Sequence, residues 1–224
     1  MKNMLRAAAV ALCGLAAGGC QAPKYALYIS AERDFQCRVP WAWNVMFDAE
    51  DKHFNNTTFI GPFEPDFYLG APSLSVRWYS RYQAHRLRDG SVEMYADADD
   101  YINQTLEGVY GKDRVMIDPV REVAAAGRRA KHFVVLSAGP AAAGARWGTA
   151  RDKITGRVVD PRQHAYVVLP MPGGFYVLIY PATPDGFDKY EPQFNQLVNS
   201  FTPLKSGPGG APLQPSAARK AGRS

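Results

Sequence analysis

The sequence lacks the short motifs by which catalytic chemistry is usually recognised. It contains no Gly-x-Ser-x-Gly nucleophile elbow, no His-Glu-x-x-His pair, no Gly-x-x-x-x-Gly-Lys phosphate loop and no Cys-x-x-Cys pair. Its four histidines are far apart in the chain, at His53, His85, His132 and His164. Because nothing local places a nucleophile beside a base, we predict a protein without enzymatic activity and without a cofactor.

A metal centre has little support either. The densest group of potential ligands, residues 48–53, contains three carboxylates and an imidazole but also Lys52, whose charge opposes a bound cation. The acids Asp97, Asp99 and Asp100 are better explained as the start of a helix, where negative charge is favourable. We therefore predict no metal site.

Hydrophobic runs long enough to cross a bilayer are also missing, since a spanning helix needs ~20 apolar residues. The longest apolar stretch occupies residues 7–17, follows Lys2 and Arg6, and leads into Gly18-Gly19-Cys20. A basic start, a short apolar stretch and small residues are typical of a cleaved signal peptide. We expect residues 1–19 to be removed and no later segment to span a membrane.

The first twenty residues resemble the signal of bacterial lipoproteins. In that family a cysteine is lipidated, the chain is cut just before it, and the new amino group receives a fatty acid such as palmitate. The resemblance implies that Cys20 is the acylated mature N-terminus and that residues 20–24 form a short tether on the periplasmic side. Gln21, in place of the Asp that retains such proteins in the inner membrane, implies the outer membrane. Ordinary secretion, with cleavage after residues 16–18, is the alternative.

Cysteine is scarce, with three residues in 224. Cys13 lies in the expected leader and Cys20 would be acylated, which leaves Cys37 without a disulfide partner. If Cys20 is not acylated, it could pair with Cys37 in an oxidising periplasm. Cys37 lies in an apparent strand, where we expect a buried, unreactive thiol.

Positive charge is concentrated outside the expected folded domain, although the whole chain carries a formal charge of +5. Six of the 26 basic residues lie in the first 19 or last 20 positions, which contain no acid, so 20 remain against all 21 acidic residues. An exported, nearly neutral domain is not expected to bind nucleic acid. Four arginines could recognise a phosphate, but a solvated strand face is the simpler interpretation; they are Arg77, Arg81, Arg86 and Arg88.

Residues 25–204 have the pattern of one domain rich in short strands. Runs of β-branched or aromatic residues predict strands at 45–47, 58–60 and 74–79. Longer apolar runs without clean alternation predict central strands covered on both faces, at 132–136, 165–169 and 175–180. The short connection between the last two permits only an antiparallel hairpin.

Two helices are predicted to cover this sheet. The first spans residues 99–110, and the second begins near Glu191 with Pro192 in its first turn. The predicted fold class is therefore α+β, an antiparallel β-sheet flanked by helices. Residues 205–224 are basic and rich in Gly, Pro and Ala, which predicts a disordered tail.

The order of these elements resembles the PsbP-like fold, which is shared by an extrinsic photosystem II subunit, a yeast Ran-binding nuclear import factor and many bacterial envelope proteins. The strongest match is residues 174–184, Gly-Phe-Tyr-Val-Leu-Ile-Tyr-Pro-Ala-Thr-Pro, followed by the helix that contains Tyr190-Glu191-Pro192 and ends at Phe201. These are core and turn positions, so the resemblance implies a fold and no particular reaction. Residues 137–163 match poorly and are expected to form an inserted loop or hairpin.

Aromatic residues supply the best candidate for a contact surface. Phe63, Phe67 and Tyr68 lie in a Pro-containing loop and would suit a partner protein or an apolar ligand.

We interpret the chain as a membrane-anchored periplasmic lipoprotein that acts as a non-enzymatic protein-binding or envelope-assembly module. The alternatives are an envelope enzyme with a site assembled from distant segments, and a carrier of a small apolar ligand or metal. A deep pocket with a histidine beside a carboxylate and a hydroxyl would favour the enzyme, and a closed aromatic pocket the carrier.

Overall fold

The computed structural model describes residues 24–51, 54–87, 90–141, 144–208 and 210–213. The two helices are α1 (Ala98–Gln104), which continues as one π-helical turn over Thr105–Val109, and α2 (Phe187–Ser200). A 3-10 helix spans Tyr68–Gly70. The strands in chain order are β1 (Tyr25–Ile29), β2 (Phe35–Pro40), β3 (Asn44–Asp51), β4 (Phe54–Ile60), β5 (Ser73–Ser80), β6 (His85–Arg86), β7 (Val92–Glu93), β8 (Val115–Ala125), β9 (Arg128–Pro140), β10 (Ala150–Arg151), β11 (Val158–Met171), β12 (Gly174–Ala182) and β13 (Thr202–Pro203).

Most of the predicted N-terminal features lie outside the described residues. These are the leader 1–19, the lipidated Cys20 and tether residues 21–23, so the structure describes only Lys24 of the tether. Neither helix within the described ranges is long and apolar enough to cross a membrane.

The main sheet is antiparallel and follows the order β3-β4-β5-β12-β11-β9-β8, with β10 added beside β11. This confirms the α+β class. The predicted hairpin joins β11 and β12, where Met171 pairs with Gly174. The predicted central strands are also confirmed, because nearly every residue of β12 is buried.

Two cores lie on opposite faces of this sheet. Successive side chains of a strand point to opposite sides, so β12 contributes Tyr176 and Leu178 to one core and Phe175 and Val177 to the other. The first core is closed by α2 and by the small sheet β1-β2-β13. The second core is closed by α1. The helices therefore flank the sheet, as predicted.

Residues 137–163 form the far end of the β9–β11 hairpin. β9 continues to Pro140, which pairs with Val159 of β11, and β10 adds to the outer end of β11. Residues 142 and 143 lie outside the described residues. The predicted insertion is therefore a long hairpin with an extra short strand.

Helix α1 begins at the cluster of acids that the sequence singled out. Asp97 is its N-cap, and Oδ1 of Asp97 accepts hydrogen bonds from the backbone amides of Asp99 at 2.8 Å and Asp100 at 2.9 Å. These bonds satisfy amides that have no partner inside the helix. Tyr101 and Ile102 point into the second core. The predicted role of these acids at a helix start agrees with this geometry.

Helix α2 begins four residues earlier than predicted, at Phe187 instead of Glu191. Its first turn is fixed by a tertiary contact, because the Tyr180 hydroxyl donates to the carbonyls of Gly186 at 3.2 Å and Phe187 at 2.8 Å. Pro192 is therefore the sixth helical residue. Pro192 has no N–H, so the carbonyl four residues before it receives no helical hydrogen bond. Pro192 is exposed, so this carbonyl lies towards solvent.

The predicted disordered tail starts with a folded turn. The Ser206 amide donates to the Ala211 carbonyl at 3.1 Å, and the Leu213 amide donates to the Leu204 carbonyl at 2.9 Å. Gly207 lies so close to the Trp78 ring that a Cβ at this position would clash with it. Burial of an aromatic ring thus offsets the low intrinsic order of this segment. Residues 214–224 lie outside the described residues.

Candidate binding cleft

The sheet face that carries α1 is only partly covered. Helix α1 packs on β11 and, through Tyr101, on Phe175 of β12 and Tyr79 of β5. The remaining part of β5 and its neighbour β4 line open space beside α1. The uncovered part forms a cleft of about 440 Å³. Its floor comes from β4, β5, β12 and β11, one wall comes from Tyr95 to Val109, and Met46 and Leu69 lie at the opposite rim.

The floor of the cleft is polar because of the alternation in β5. Ser73, Ser75 and Arg77 line the cleft, while the intervening residues of β5 point into the first core. Ser75 pairs with Thr58 of β4 on one side and with Ile179 of β12 on the other. The hydroxyl oxygens of Thr58 and Ser75 lie 2.9 Å apart, so each supplies the other with a hydrogen bond partner.

Arg77 is the one permanent cation among the described residues that line the cleft. Its guanidinium donates a hydrogen bond to the Tyr79 side chain. Its Nε is buried and has no hydrogen bond partner within the part of the chain that the structure describes. Burial alone would lower the pKa of Arg77, but Tyr79 and Tyr101 outweigh that effect, and the pKa is raised. Arg77 is therefore charged at every pH at which the protein is folded.

Three tyrosines pack together beside Arg77, Tyr79 from the floor and Tyr95 and Tyr101 from the wall. The rings of Tyr79, Tyr95 and Tyr101 are packed against one another, with centroids 5.0 to 5.3 Å apart. Burial raises the pKa of each hydroxyl, and for Tyr95 the neighbouring Glu93 raises it further. These hydroxyls stay protonated and can donate hydrogen bonds.

His164 belongs to a hydrogen-bonded chain at the inner end of the cleft. Its Nδ1 lies 2.6 Å from the Tyr110 hydroxyl, which lies 2.6 Å from the Tyr166 hydroxyl. Burial, together with the charges of Arg162 and Arg77, lowers the pKa of His164 to about 3. The imidazole is therefore neutral near pH 7, and it is a hydrogen-bonded histidine as the sequence suggested.

The other histidines lie apart from His164. His85 Nδ1 is 3.5 Å from Oε2 of Glu93, and His132 Nδ1 is 3.0 Å from Oδ2 of Asp118. Burial and Arg121 lower the pKa of His132 against the opposing effect of Asp118. Across the described ranges, no three His, Cys, Asp or Glu side chains form a group that could hold a metal ion. His53 lies outside the described residues.

The predicted contact loop divides into a buried and an exposed part. Phe67 is 2% exposed and packs edge-on against Tyr190 at a centroid distance of 5.2 Å, so it does not lie on a surface. Phe63 is 66% exposed and meets Trp147 edge-on at 5.1 Å. The side chain of Tyr68 lies outside what the structure describes. A partner contact at this loop stays a prediction, and Phe63 is its accessible residue.

Sequence reasoning missed the cleft as a site. It assigned Arg77 to a solvated strand face, placed Tyr79 in a strand and Tyr101 in the first helix, and gave none of these residues a role in a cleft. The available signal was the alternation of Ser73, Ser75 and Arg77 with apolar residues, which marks a polar sheet face. That pattern does not reveal that α1 folds back over the face and encloses part of it.

Comparisons with known proteins identify no family for this chain. No protein-family model matches it, and no curated protein matches its sequence. Its fold is similar to the solution structure of cyanobacterial PsbP (CyanoP) from Synechocystis sp. PCC 6803, with 15% identity over 83% of this chain and 96% of that chain and a TM-score of 0.47. This likeness is too distant to indicate a function, so membership of the PsbP-like family stays a prediction.

Proposed function

We propose that this chain is a lipid-anchored, non-enzymatic binding module of the bacterial envelope that takes up a small ligand in the cleft beside α1. The observation that supports it most directly is the combination of shape and lining. A cleft of about 440 Å³ lies in the size range of small-molecule sites. Its lining combines apolar side chains and tyrosines with polar groups on the floor, and Arg77 is the one cation among the described lining residues.

The state of the histidine favours binding over catalysis. A general base works best when its pKa is near the working pH. His164 is the histidine that lines the cleft, and its pKa of about 3 makes it a weak base there. Its Nδ1 already faces the Tyr110 hydroxyl. A measured turnover that is lost on substitution of His164 would favour the enzyme alternative instead.

The anchor follows from the expected lipidation of Cys20. Lys24 is the first described residue and β1 begins at Tyr25, so five residue steps separate Cys20 from the first strand. Such a segment spans at most about 18 Å when fully extended. A lipid on Cys20 would therefore hold the domain close to the periplasmic face of the outer membrane.

The anchor is tested by Cys20→Ala in cells, with Cys37→Ala as the matched control. We expect C20A to leave the membrane fraction and C37A to remain in it. Mass spectrometry of the native protein is expected to find acyl groups on Cys20. An unmodified thiol at Cys20 would contradict the anchor.

Ligand binding is tested on the mature chain from residue 21, which contains every described residue. The probes are decanoate and decanol, and the readout is the shift in Tm together with calorimetric titration. Val109 is 60% exposed at the rim, so Val109→Trp should block the cleft; Val115 is 54% exposed on β8, outside the cleft, and Val115→Trp is the control. We expect binding that V109W abolishes and V115W retains. Absence of binding by both probes would contradict the proposed function.

An envelope protein partner is the second candidate, because Phe63 and Trp147 form an exposed aromatic pair. A photo-crosslinking amino acid at Phe63 should then capture a defined envelope protein in cells. The same label at Tyr82, which is 71% exposed, is the control. Equal capture at both positions would count against a specific contact at Phe63.

A further inference from the structure

We infer that the ligand of the cleft is an organic monoanion, a carboxylic acid with an apolar chain or ring, whose carboxylate pairs with Arg77. This inference rests on the proposed function, since it names the chemical class of the ligand for the same site. It is carried by the position of Arg77, by the neutral groups that surround it and by the apolar remainder of the lining.

Among the described residues, no carboxylate acts on the charge of Arg77, although Glu93 lines the same cleft. The groups that act on its pKa are the hydroxyls of Tyr79, Tyr101 and Tyr166, and no carboxylate is among them. Its buried Nε is unpartnered within the described part of the chain. A buried charge without a counter-ion is costly, and proteins seldom retain one without a reason. A ligand carboxylate would remove this cost, because its two oxygens match the fork of N–H donors on a guanidinium.

The surroundings of Arg77 favour one negative charge over two. Among the described lining residues, Arg77 is the one cation, Glu93 contributes an acid, and His164 is neutral near pH 7. A phosphate monoester carries about 1.5 to 2 negative charges at neutral pH. Such a group would bring more negative charge than Arg77 balances, with Glu93 adding to the excess.

The rest of the lining suits an apolar body. On the floor, Ile179 lies beside Ser75 and Ile60 beside Ser73. Leu69 and Val109 lie at the rim, where they are 78% and 60% exposed. Large apolar side chains left exposed around a cavity gain free energy when a ligand covers them. The carboxylate of the ligand and its apolar body would therefore contact different parts of one cleft.

The experiment compares decanoate, decanol and decyl phosphate on the wild-type mature chain and on Arg77 variants. Decanoate and decanol share one chain and differ in charge. We expect decanoate to bind at least about tenfold more tightly than decanol, since charge-assisted, bidentate hydrogen bonds are the strong ones. Arg77→Met should lower decanoate affinity by about the same factor and leave decanol affinity unchanged. Arg81→Met, at an exposed arginine outside the cleft lining, should change neither.

Arg77→Lys keeps the charge but loses the fork of donors, so it should give an intermediate decanoate affinity. This second variant preserves the test if R77M does not fold. The proposed function and the carboxylate inference are overturned by different results. If no probe binds the wild type, the proposed function fails. If decanol binds as tightly as decanoate and R77M affects neither, the cleft stands and the carboxylate inference is wrong. Tighter Arg77-dependent binding of decyl phosphate than of decanoate would also overturn it.

Discussion

The hydroxyl of Tyr176 donates a hydrogen bond of 3.2 Å to Oδ2 of Asp34, and both residues are fully buried. The Asp34 carboxylate also accepts hydrogen bonds from the Ser30 hydroxyl and from the Asn55 amide. Its backbone carbonyl accepts from the Leu204 amide at 2.7 Å. Asp34 therefore joins the β1–β2 turn, β4, β12 and the segment after α2. These hydrogen bonds hold the small sheet against the main sheet.

Replacement of Asp34 by Ala should destabilise the fold strongly. It leaves several buried donors without an acceptor, and each such loss costs about 1–3 kcal/mol, so we expect the free energy of unfolding to fall by roughly 3 kcal/mol or more. Tyr176→Phe removes one bond and should cost about 1 kcal/mol. Urea unfolding measures both. Asp113→Ala, at an exposed turn, is the control, and an equal effect of D34A and D113A would contradict this role.

Protonation of His164 should make stability fall as the medium becomes acidic. The pKa of His164 is about 3 in the folded protein and 6.5 for an ordinary histidine. Well above pH 6.5 the imidazole is neutral in both the folded and the unfolded state, and its contribution to stability is complete. As the pH falls from 6.5 towards 3, the unfolded chain takes up a proton that the folded protein refuses, so this contribution is lost at about 1 kcal/mol per pH unit.

The measurement is urea unfolding of the wild type and of His164→Gln between pH 7.5 and pH 4.5. The stability advantage of the wild type over H164Q should shrink as the pH is lowered. Lys112→Gln, at an exposed residue, should keep a constant difference from the wild type. Parallel curves for the wild type and H164Q would show that His164 titrates normally.

The central part of the fold could be predicted from the sequence because burial on both faces leaves a strong local signal. Residues 165–169 of β11 and most of β12 are continuous apolar runs joined by a short connection, and Asp97 marks the start of α1. Edge strand β8 could not be predicted from the sequence, since its residues are mostly exposed and it has no long apolar run. The start of α2 was misplaced because the Tyr180 hydroxyl fixes its first turn, and that contact is tertiary.

The cleft was less predictable for a related reason. A polar alternation such as Ser73, Ser75 and Arg77 looks the same whether water or another element lies above it. The wall that encloses Arg77 comes from Tyr95 to Val109, a separate segment of the chain. Residue types therefore suggested a polar sheet face, and only the path of α1 across the sheet converts it into a site.

The Cys37 thiol should be protected as long as the protein is folded. Cys37 is 0% exposed, and burial raises the pKa of its thiol to about 12. We expect no reaction with Ellman's reagent at pH 8 until the protein unfolds, and then one thiol per lipidated chain. Lys112→Cys, at an exposed residue, should react at once and is the control. A chain that releases no thiol on unfolding would point instead to a disulfide between Cys20 and Cys37.

Gly207 should be intolerant of any side chain, because it closes the first core from outside. Its φ of +140° is rarely adopted by other residues, and a Cβ would clash with the ring of Trp78. Gly207→Ala should therefore cost more than about 1 kcal/mol, the cost typical of a positive φ alone, and should shift tryptophan emission to the red as Trp78 becomes hydrated. Gly127→Ala is the matched control, since Gly127 also has a positive φ but open space around it. Equal costs for the two variants, with no change in emission, would mean that the turn does not bear on Trp78 in solution.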